Sequence, residues 1–198
     1  MLVPKVLDNK TKLVIAIAFT LWLTLLACSV SVKDHNNGDT SKVDIETPIG
    51  GIHVNEDADV RDTGMAVYPG ARKKEKTDHD SKSANVNISS NFFGVKVVAL
   101  EFQSNDSPDK VLSFYRDQLK KFGHVVECRS KKHGGDFTVQ TGEHGSNEVS
   151  CKGDNSGNIV ELKVGTEGNQ HLVSVEPQDN GCDFALVYVV TRGKEGTI

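Results

Sequence analysis

This 198-residue chain contains four cysteines, and whether they form disulfides depends on the compartment in which the protein resides. Cys128 and Cys151, with 22 residues between them, fall in neighbouring segments that predict strands. If those strands pair as a long-looped hairpin, the two side chains face each other and form a disulfide in an oxidising compartment. The chain-entropy model gives such a bond about 3 kcal/mol of stabilisation. Cys182 is then a buried thiol or an alternative partner for either cysteine.

Histidine spacing gives no metal centre. His133 and His144, with Asp136 and Glu143 nearby, form the one cluster among seven histidines, in a polar and Gly-rich stretch. Neither HxH nor HExxH spacing occurs, so we interpret the stretch as a solvated loop. No CxxC pair occurs either, which argues against a thiol oxidoreductase or a cysteine-rich zinc site.

A run of oxygen-bearing side chains farther along superficially resembles a calcium loop: Asp154, Asn155, Asn158 and Glu161. The flanking glycines are misplaced for an EF-hand, and the glutamate comes too early. We interpret the run as a hairpin turn. The sequence therefore predicts neither a metal nor a cofactor.

The sequence shows no recognisable motif for a catalytic nucleophile, since no serine stands in a GxSxG context. The basic residues at 72–76 offer contacts to phosphates but precede two aspartates, which favours a solvated loop. Tyr68, Phe92, Phe93 and Phe114 either line an apolar pocket or pack in the core, and we favour the core.

The N-terminal segment is the strongest functional signal. Three lysines, Lys5, Lys10 and Lys12, precede a charge-free apolar run of 15 residues at 13–27. That length is typical of a signal-peptide core and short for a membrane span, which needs about 20 residues. We therefore predict a signal peptide over residues 1–27.

The end of this run, Leu25-Leu26-Ala27-Cys28, resembles the lipobox of bacterial lipoproteins, although Leu26 is bulkier than usual. The resemblance implies a thioether from Cys28 to diacylglycerol, cleavage before it, and acylation of the new N-terminus by a fatty acid such as palmitate. Three acyl chains would anchor the protein permanently, since two already hold stably. Ser29 in place of an aspartate implies the outer membrane, on its periplasmic face.

Two other outcomes stay open at the N-terminus. A secretory signal cut after Ser29 fits the small residues Ala27 and Ser29. An uncleaved anchor reaching Val32 would attain membrane-spanning length only by including Cys28, Ser29 and Ser31. All three outcomes export the rest of the chain.

The remainder predicts a single α+β domain over residues 43–192. A polar stretch at 28–42 predicts a flexible tether, residues 43–54 a small hairpin, and residues 193–198 a flexible end. Residues 28–198 hold 22 valines against 6 leucines, which favours strands. Predicted strands are Phe93 to Phe102, His124 to Cys128, Glu148 to Cys151, Asn158 to Val164, Leu172 to Val175 and Phe184 to Val190.

One amphipathic helix at 107–122 should pack on a face of this mostly antiparallel sheet. Ser107 fits the N-cap, Pro108 the first helical position and Gly123 the C-terminal stop. An apolar stripe follows at helical spacing: Val111, Leu112, Tyr115, Leu119 and Phe122.

Residues 65–125 are similar to uncharacterised exported bacterial proteins. The shared pattern is Tyr68-Pro69-Gly70-Ala71, an apolar strand, and then the capped helix with its core stripe. Those residues are structural, so the resemblance implies no activity.

Composition restricts the functional classes. Beyond residue 27 the formal charge is −6, which argues against nucleic-acid binding. We expect a membrane-anchored extracytoplasmic lipoprotein with a non-catalytic binding or envelope-structural role, its partner an envelope protein or polymer. The alternative is a periplasmic, hydrolase-like enzyme whose residues converge only in the fold.

Overall fold

A computed structural model describes residues 29–35, 39–55, 58–74, 83–131, 148–151 and 155–193. Within them lie ten strands: β1 (Ser29–His35), β2 (Asp39–Thr47), β3 (Gly50–Asn55), β4 (Arg72–Lys73), β5 (Ser83–Ser90), β6 (Phe93–Ser104), β7 (Val126–Ser130), β8 (Ile159–Thr166), β9 (Asn169–Gln178) and β10 (Gly181–Gly193). The helix α1 (Pro108–Leu119) continues into a 3₁₀ turn at Lys120–Phe122. A second 3₁₀ turn lies at Val60–Thr63.

All ten strands belong to one antiparallel sheet. Its order is β1-β2-β3-β5-β6-β10-β9-β8-β7, and β4 pairs with β6 near one end. The longest strands, β6 and β10, pair along their whole length at the centre of the sheet. The predicted α+β class, a mostly antiparallel sheet with one helix, is confirmed.

The helix begins and ends where its sequence signals predict. Pro108 occupies the first helical position after an extended Ser107, although the serine side chain makes no capping hydrogen bond. Gly123 closes the 3₁₀ turn with a φ of 139°, a conformation that glycine tolerates far better than other residues. The stripe of Val111, Leu112, Tyr115 and Leu119 is buried, as its spacing predicts.

The core lies between this helix and one face of the central strands. Alternate residues of β6 and β10 point toward the helix, because side chains along a strand alternate between faces. Phe102 and Phe184 stack there with ring centroids 5.4 Å apart, and Tyr115 of the helix lies 5.6 Å from Phe184. These rings link the central sheet to the helix.

The N-terminal part of the domain differs from the prediction. The flexible tether predicted over 28–42 is wrong for residues 29–35 and 39–42, which belong to β1 and β2. The polar composition suggested a linker, but β1 also alternates serine with valine and finds a ladder partner in β2, with Val30 opposite Ile45. The predicted hairpin at 43–54 is confirmed as β2 and β3.

Other boundaries also shift. The strand β5 was not predicted, because its many Asn and Ser side chains obscure the alternation with Val86 and Ile88. The strand predicted from Glu148 to Cys151 is wrong, since its described backbone makes only an isolated bridge from Glu148 to Thr166. At the C-terminus β10 runs through Gly193, and residues 194–198 lie outside the described part.

Candidate functional site

A shallow groove of about 380 Å³ opens across β3, β5, β6 and β10. Its floor includes His53, Asn87, Lys96 and Arg192. Lys96 precedes the buried core residue Val98 by two positions, so it lies on the face of the sheet that carries the helix. The groove is thus the polar continuation of the core face, beyond the area that the helix covers.

His53 stands at one end of the groove between two carboxylates. In the β2–β3 hairpin it is directly opposite Asp44, and Glu46 lies two residues farther along the same face. Its Nδ1 is 2.9 Å from Asp44 Oδ1, and its Nε2 is 3.2 Å from Glu46 Oε1. The side chain is 44% exposed. Both ring nitrogens therefore face carboxylates, and neither points to a serine, threonine or cysteine nucleophile.

The spacing of Asp44, Glu46 and His53 along the chain does not reveal this cluster. Only the strand register brings Asp44 and Glu46 to His53, and the hairpin prediction at 43–54 contained the signal that would have found it. Across the described ranges, no group of three or more His, Cys, Asp or Glu side chains is arranged to hold a metal ion.

Two cations line the opposite side of the groove. Lys96 Nζ is 3.9 Å from Asp62 Oδ1, a weak and partly exposed pair. Arg192 lies opposite Gly94 near the end of β10 and is exposed. Asn87 and Ser89 lie on the neighbouring strand β5. The groove therefore offers cations and uncharged hydrogen-bonding groups to a polar or anionic ligand.

The rim of the groove carries exposed apolar side chains. Phe92 is 74% exposed and Phe93 is 43% exposed, in the turn between β5 and β6. Ile49, in the adjacent turn between β2 and β3, is 68% exposed. The prediction that Phe92 and Phe93 pack in the core is therefore wrong. They lie at the end of strands β5 and β6, where the chain reverses.

The predicted disulfide is present. Cys128 of β7 and Cys151 are bonded, with their Cα atoms 5.4 Å apart. The route differs from the expected hairpin, because β7 pairs with β8 and Cys128 lies opposite Glu161. Cys182 is the buried thiol of the two alternatives. Burial, with the charges of Asp183 and Asp106, raises the pKa of that thiol to about 11, so it is a poor nucleophile at neutral pH.

A buried ion pair lies on the face of the sheet opposite the helix. Lys163 Nζ is 3.0 Å from Glu161 Oε2, and the Ser130 hydroxyl donates to Glu161 Oε1 at 3.1 Å. The whole residues Glu161 and Lys163 are 1% and 5% exposed. Ser174 lies directly opposite Glu161, and its buried hydroxyl has no hydrogen-bond partner in the described structure. Solvent does not reach these groups, which indicates a structural role for the pair.

The motif around Tyr68 is also structural. The Tyr115 hydroxyl, fully buried in the core, accepts a hydrogen bond from the Tyr68 backbone N–H at 3.0 Å. Tyr68 Oη donates to Asp106 Oδ2 at 3.0 Å, and its ring meets Phe114 edge-on at 5.3 Å. Burial raises the pKa of Tyr68, and the Asp106 bond adds to that effect. The motif thus joins the Tyr68 turn to the helix, and the core interpretation of Tyr68 and Phe114 is the better one.

The other residues considered from sequence are dispersed. Arg72 and Lys73 are exposed in β4, while Lys74 Nζ is 2.7 Å from Asp183 Oδ2. The lipidation candidate Cys28 lies outside the described residues, as does the histidine cluster at 133–144. Of the calcium-like run, Asp154 lies outside the described residues, and Glu161 pairs with Lys163 and Ser130.

Comparison with known protein families, characterised proteins and solved structures finds no match to this chain. Within the described ranges, no helix combines the length and apolar composition needed to cross a membrane.

Proposed function

We propose that this protein is an exported lipoprotein, anchored through Cys28, with a non-catalytic binding or structural role in the cell envelope. The observation that carries the proposal is the Cys128–Cys151 disulfide. Disulfides persist in oxidising compartments and are rare in the cytosol of most organisms. The predicted export signal and the disulfide therefore both support an oxidising compartment outside the cytoplasm.

The chemistry of the titratable groups supports a binding role over catalysis. His53 has both ring nitrogens against carboxylates, and the thiol of Cys182 is buried and protonated at neutral pH. The groove presents Lys96 and Arg192 beside uncharged polar groups. An anionic or hydroxyl-rich envelope polymer, or a protein with an acidic segment, matches those contacts.

The anchor is tested by replacing Cys28 with serine in the full chain expressed in a bacterium. The wild type should incorporate labelled palmitate, show globomycin-sensitive processing and sediment with membranes. The Cys28→Ser variant should lose the label and the globomycin sensitivity. Cys182→Ser is the matched control, because it removes a buried thiol elsewhere and should keep both. Unchanged labelling and fractionation of Cys28→Ser would refute lipidation.

The binding role is tested by pull-down from solubilised envelopes with the Cys28→Ser variant. Capture of an envelope component by this variant, lost when Lys96 and Arg192 are both changed to glutamine, is the expected result. Equal capture by the double variant would show that the groove is not the binding surface.

One observation favours the alternative of a periplasmic hydrolase. The groove is a concave site with more than one titratable side chain, since His53 and Lys96 both line it. A His53→Gln variant keeps a hydrogen-bonding side chain but cannot take a proton. Hydrolysis of ester or amide substrates by the wild type that disappears in His53→Gln would favour the enzyme over the binding protein.

A further inference from the structure

We propose that the apolar tip, defined as Ile49, Phe92 and Phe93, enters the lipid surface that holds the anchor at Cys28. This inference rests on the proposed function and deepens it. It gives the domain an orientation on the membrane and assigns the exposed apolar residues to a lipid partner.

The residues of the apolar tip lie at two adjacent turns. The Asn91 backbone N–H donates to the Ile49 carbonyl at 3.2 Å, which links the β5–β6 turn to the β2–β3 turn. Large apolar side chains exposed in adjoining turns are the kind that mark an interaction surface in proteins.

The turns hold these side chains in place. The Ser90 hydroxyl accepts from the backbone N–H groups of Phe92 and Phe93 at 3.1 and 2.9 Å, and it donates to the Phe93 carbonyl at 3.1 Å. The two hairpins also approach closely at Gly50, where a Cβ atom would lie 2.2 Å from the Ser89 carbonyl oxygen. The exposure of the tip is therefore built into the backbone.

Neither turn of the tip contains a charged residue. The sequences are Thr47-Pro48-Ile49-Gly50 and Ser90-Asn91-Phe92-Phe93. Removing a charge from water is costly, so an uncharged turn is the kind that enters a lipid interface readily. The β9–β10 turn, at the opposite end of β10, contains Asp179 and Asn180.

The strand register places Ser29, the first described residue, at the same end of the sheet. Ser29, the first residue of β1, lies opposite Glu46, three residues before Ile49. The strand β1 runs from this edge toward His35, which lies opposite Asp39. Consecutive Cα atoms are about 3.8 Å apart, so the position of Ser29 fixes where attachment through Cys28 must start. An anchor there brings the lipid surface to the tip.

One cation, Arg192, lies in the adjoining part of the sheet. The row of paired residues that contains Ser29 continues through Gly51 and Gly94 to Arg192. Five strand spacings separate its ends, or roughly 24 Å. Arg192 is exposed beside the tip and suits an anionic headgroup. The apolar patch, the basic side chain and the anchor attachment share one edge, which favours a lipid surface over a protein partner.

Tryptophan fluorescence tests the contact, because Trp22 is the only tryptophan of the chain. A Phe92→Trp variant, expressed in a bacterium as the full chain so that processing before Cys28 removes Trp22, is reconstituted into vesicles of phosphatidylethanolamine and phosphatidylglycerol that contain brominated acyl chains. We expect a blue-shifted emission and strong quenching, since interfacial side chains lie about 5–10 Å into the headgroup region. The matched control carries Asn180→Trp at the far end of β10, roughly 40 Å away, and should be quenched at least about twofold less.

The outcomes separate this inference from the anchor. Equal quenching of the Phe92→Trp and Asn180→Trp proteins, when both float with the vesicles, would overturn tip insertion and leave the anchor standing. Failure of the processed protein to float would instead contradict the anchor. A second variant, Phe92→Ser with Phe93→Ser, should increase proteinase access to the β5–β6 turn on vesicles while the Cys128–Cys151 disulfide still forms. Unchanged access would count against the proposal.

Discussion

We expect His171 to make the stability of this domain sensitive to mild acid. Its ring on β9 stacks on Phe122 with centroids 3.7 Å apart, and the Tyr188 ring lies 4.7 Å away on the neighbouring strand. Burial between these rings lowers the pKa of His171 from 6.5 to about 4, and the charge of Lys121 adds to the effect. The folded protein therefore keeps this imidazole neutral at pH values where an unfolded chain protonates it.

The direction and size of the effect follow from proton linkage. Because the folded pKa is the lower one, the unfolded state binds more protons between pH 6.5 and about 4. The contribution of neutral His171 to the free energy of unfolding is fully present above pH 6.5. It falls as the pH decreases through this window, and it is lost below about pH 4. One pKa unit corresponds to about 1.4 kcal/mol, so the upper limit is roughly 3 kcal/mol. His171 is only partly buried, and we expect roughly 1 kcal/mol between pH 7 and pH 5 after screening.

The measurement compares urea unfolding of the wild type and His171→Phe by circular dichroism at pH 7, 6 and 5. Phenylalanine keeps the aromatic stack and cannot titrate, so the free energy of unfolding should depend less on pH in this variant. The control is His124→Gln, which changes an exposed histidine outside this aromatic stack. Asp59, with a pKa of about 2, titrates below this range and should not contribute. Parallel pH profiles for wild type and His171→Phe would refute the reasoning.

Three further changes should lower the free energy of unfolding. Lys163→Met leaves Glu161 as a buried, unpaired charge and should cost roughly 3–5 kcal/mol in urea unfolding at pH 7. Cys151→Ser opens the loop of 23 positions to Cys128 and should cost about 3 kcal/mol in thermal or urea unfolding. Tyr115→Phe removes the acceptor of a backbone N–H in the core and should cost roughly 1–3 kcal/mol by the same assay.

Each of these changes has a matched control. Lys120→Met breaks an exposed pair with Asp117 and should cost less than about 1 kcal/mol, so an equal effect of Lys163→Met would contradict the buried pair. Cys151→Ser should abolish the response of stability to reductant, and a retained response would indicate another disulfide. An unfolding energy of Tyr115→Phe within about 0.3 kcal/mol of wild type would show that the hydroxyl contributes nothing.

Much of the fold was predictable from local signals. Pro108, Gly123 and the apolar stripe of the helix act within a few turns of the chain, and the structure follows them almost to the residue. The valine-rich runs at β6 and β10 identify central strands because such strands are apolar on both faces. These features depend on spacing along the chain, which a sequence displays directly.

The parts that were missed depend on pairing between distant residues. The strands β1 and β5 have polar, serine- and asparagine-rich sequences, and their state depends on the ladder that neighbouring strands offer. Composition suggested a core position for Phe92, but a turn can expose any side chain, and only the hairpin geometry shows that it does.

By itself, the sequence determined the helix and the strand-rich class, because these follow from local spacing and composition. The tertiary structure decided which groups meet. Strand register alone brought Asp44 and Glu46 to His53, and pairing of β7 with β8 rather than a simple hairpin set the surroundings of Cys128. It also placed Ser29 at the edge that carries Ile49 and Phe92. The physical reason is that a one-residue change of register turns every side chain of a strand to the other face.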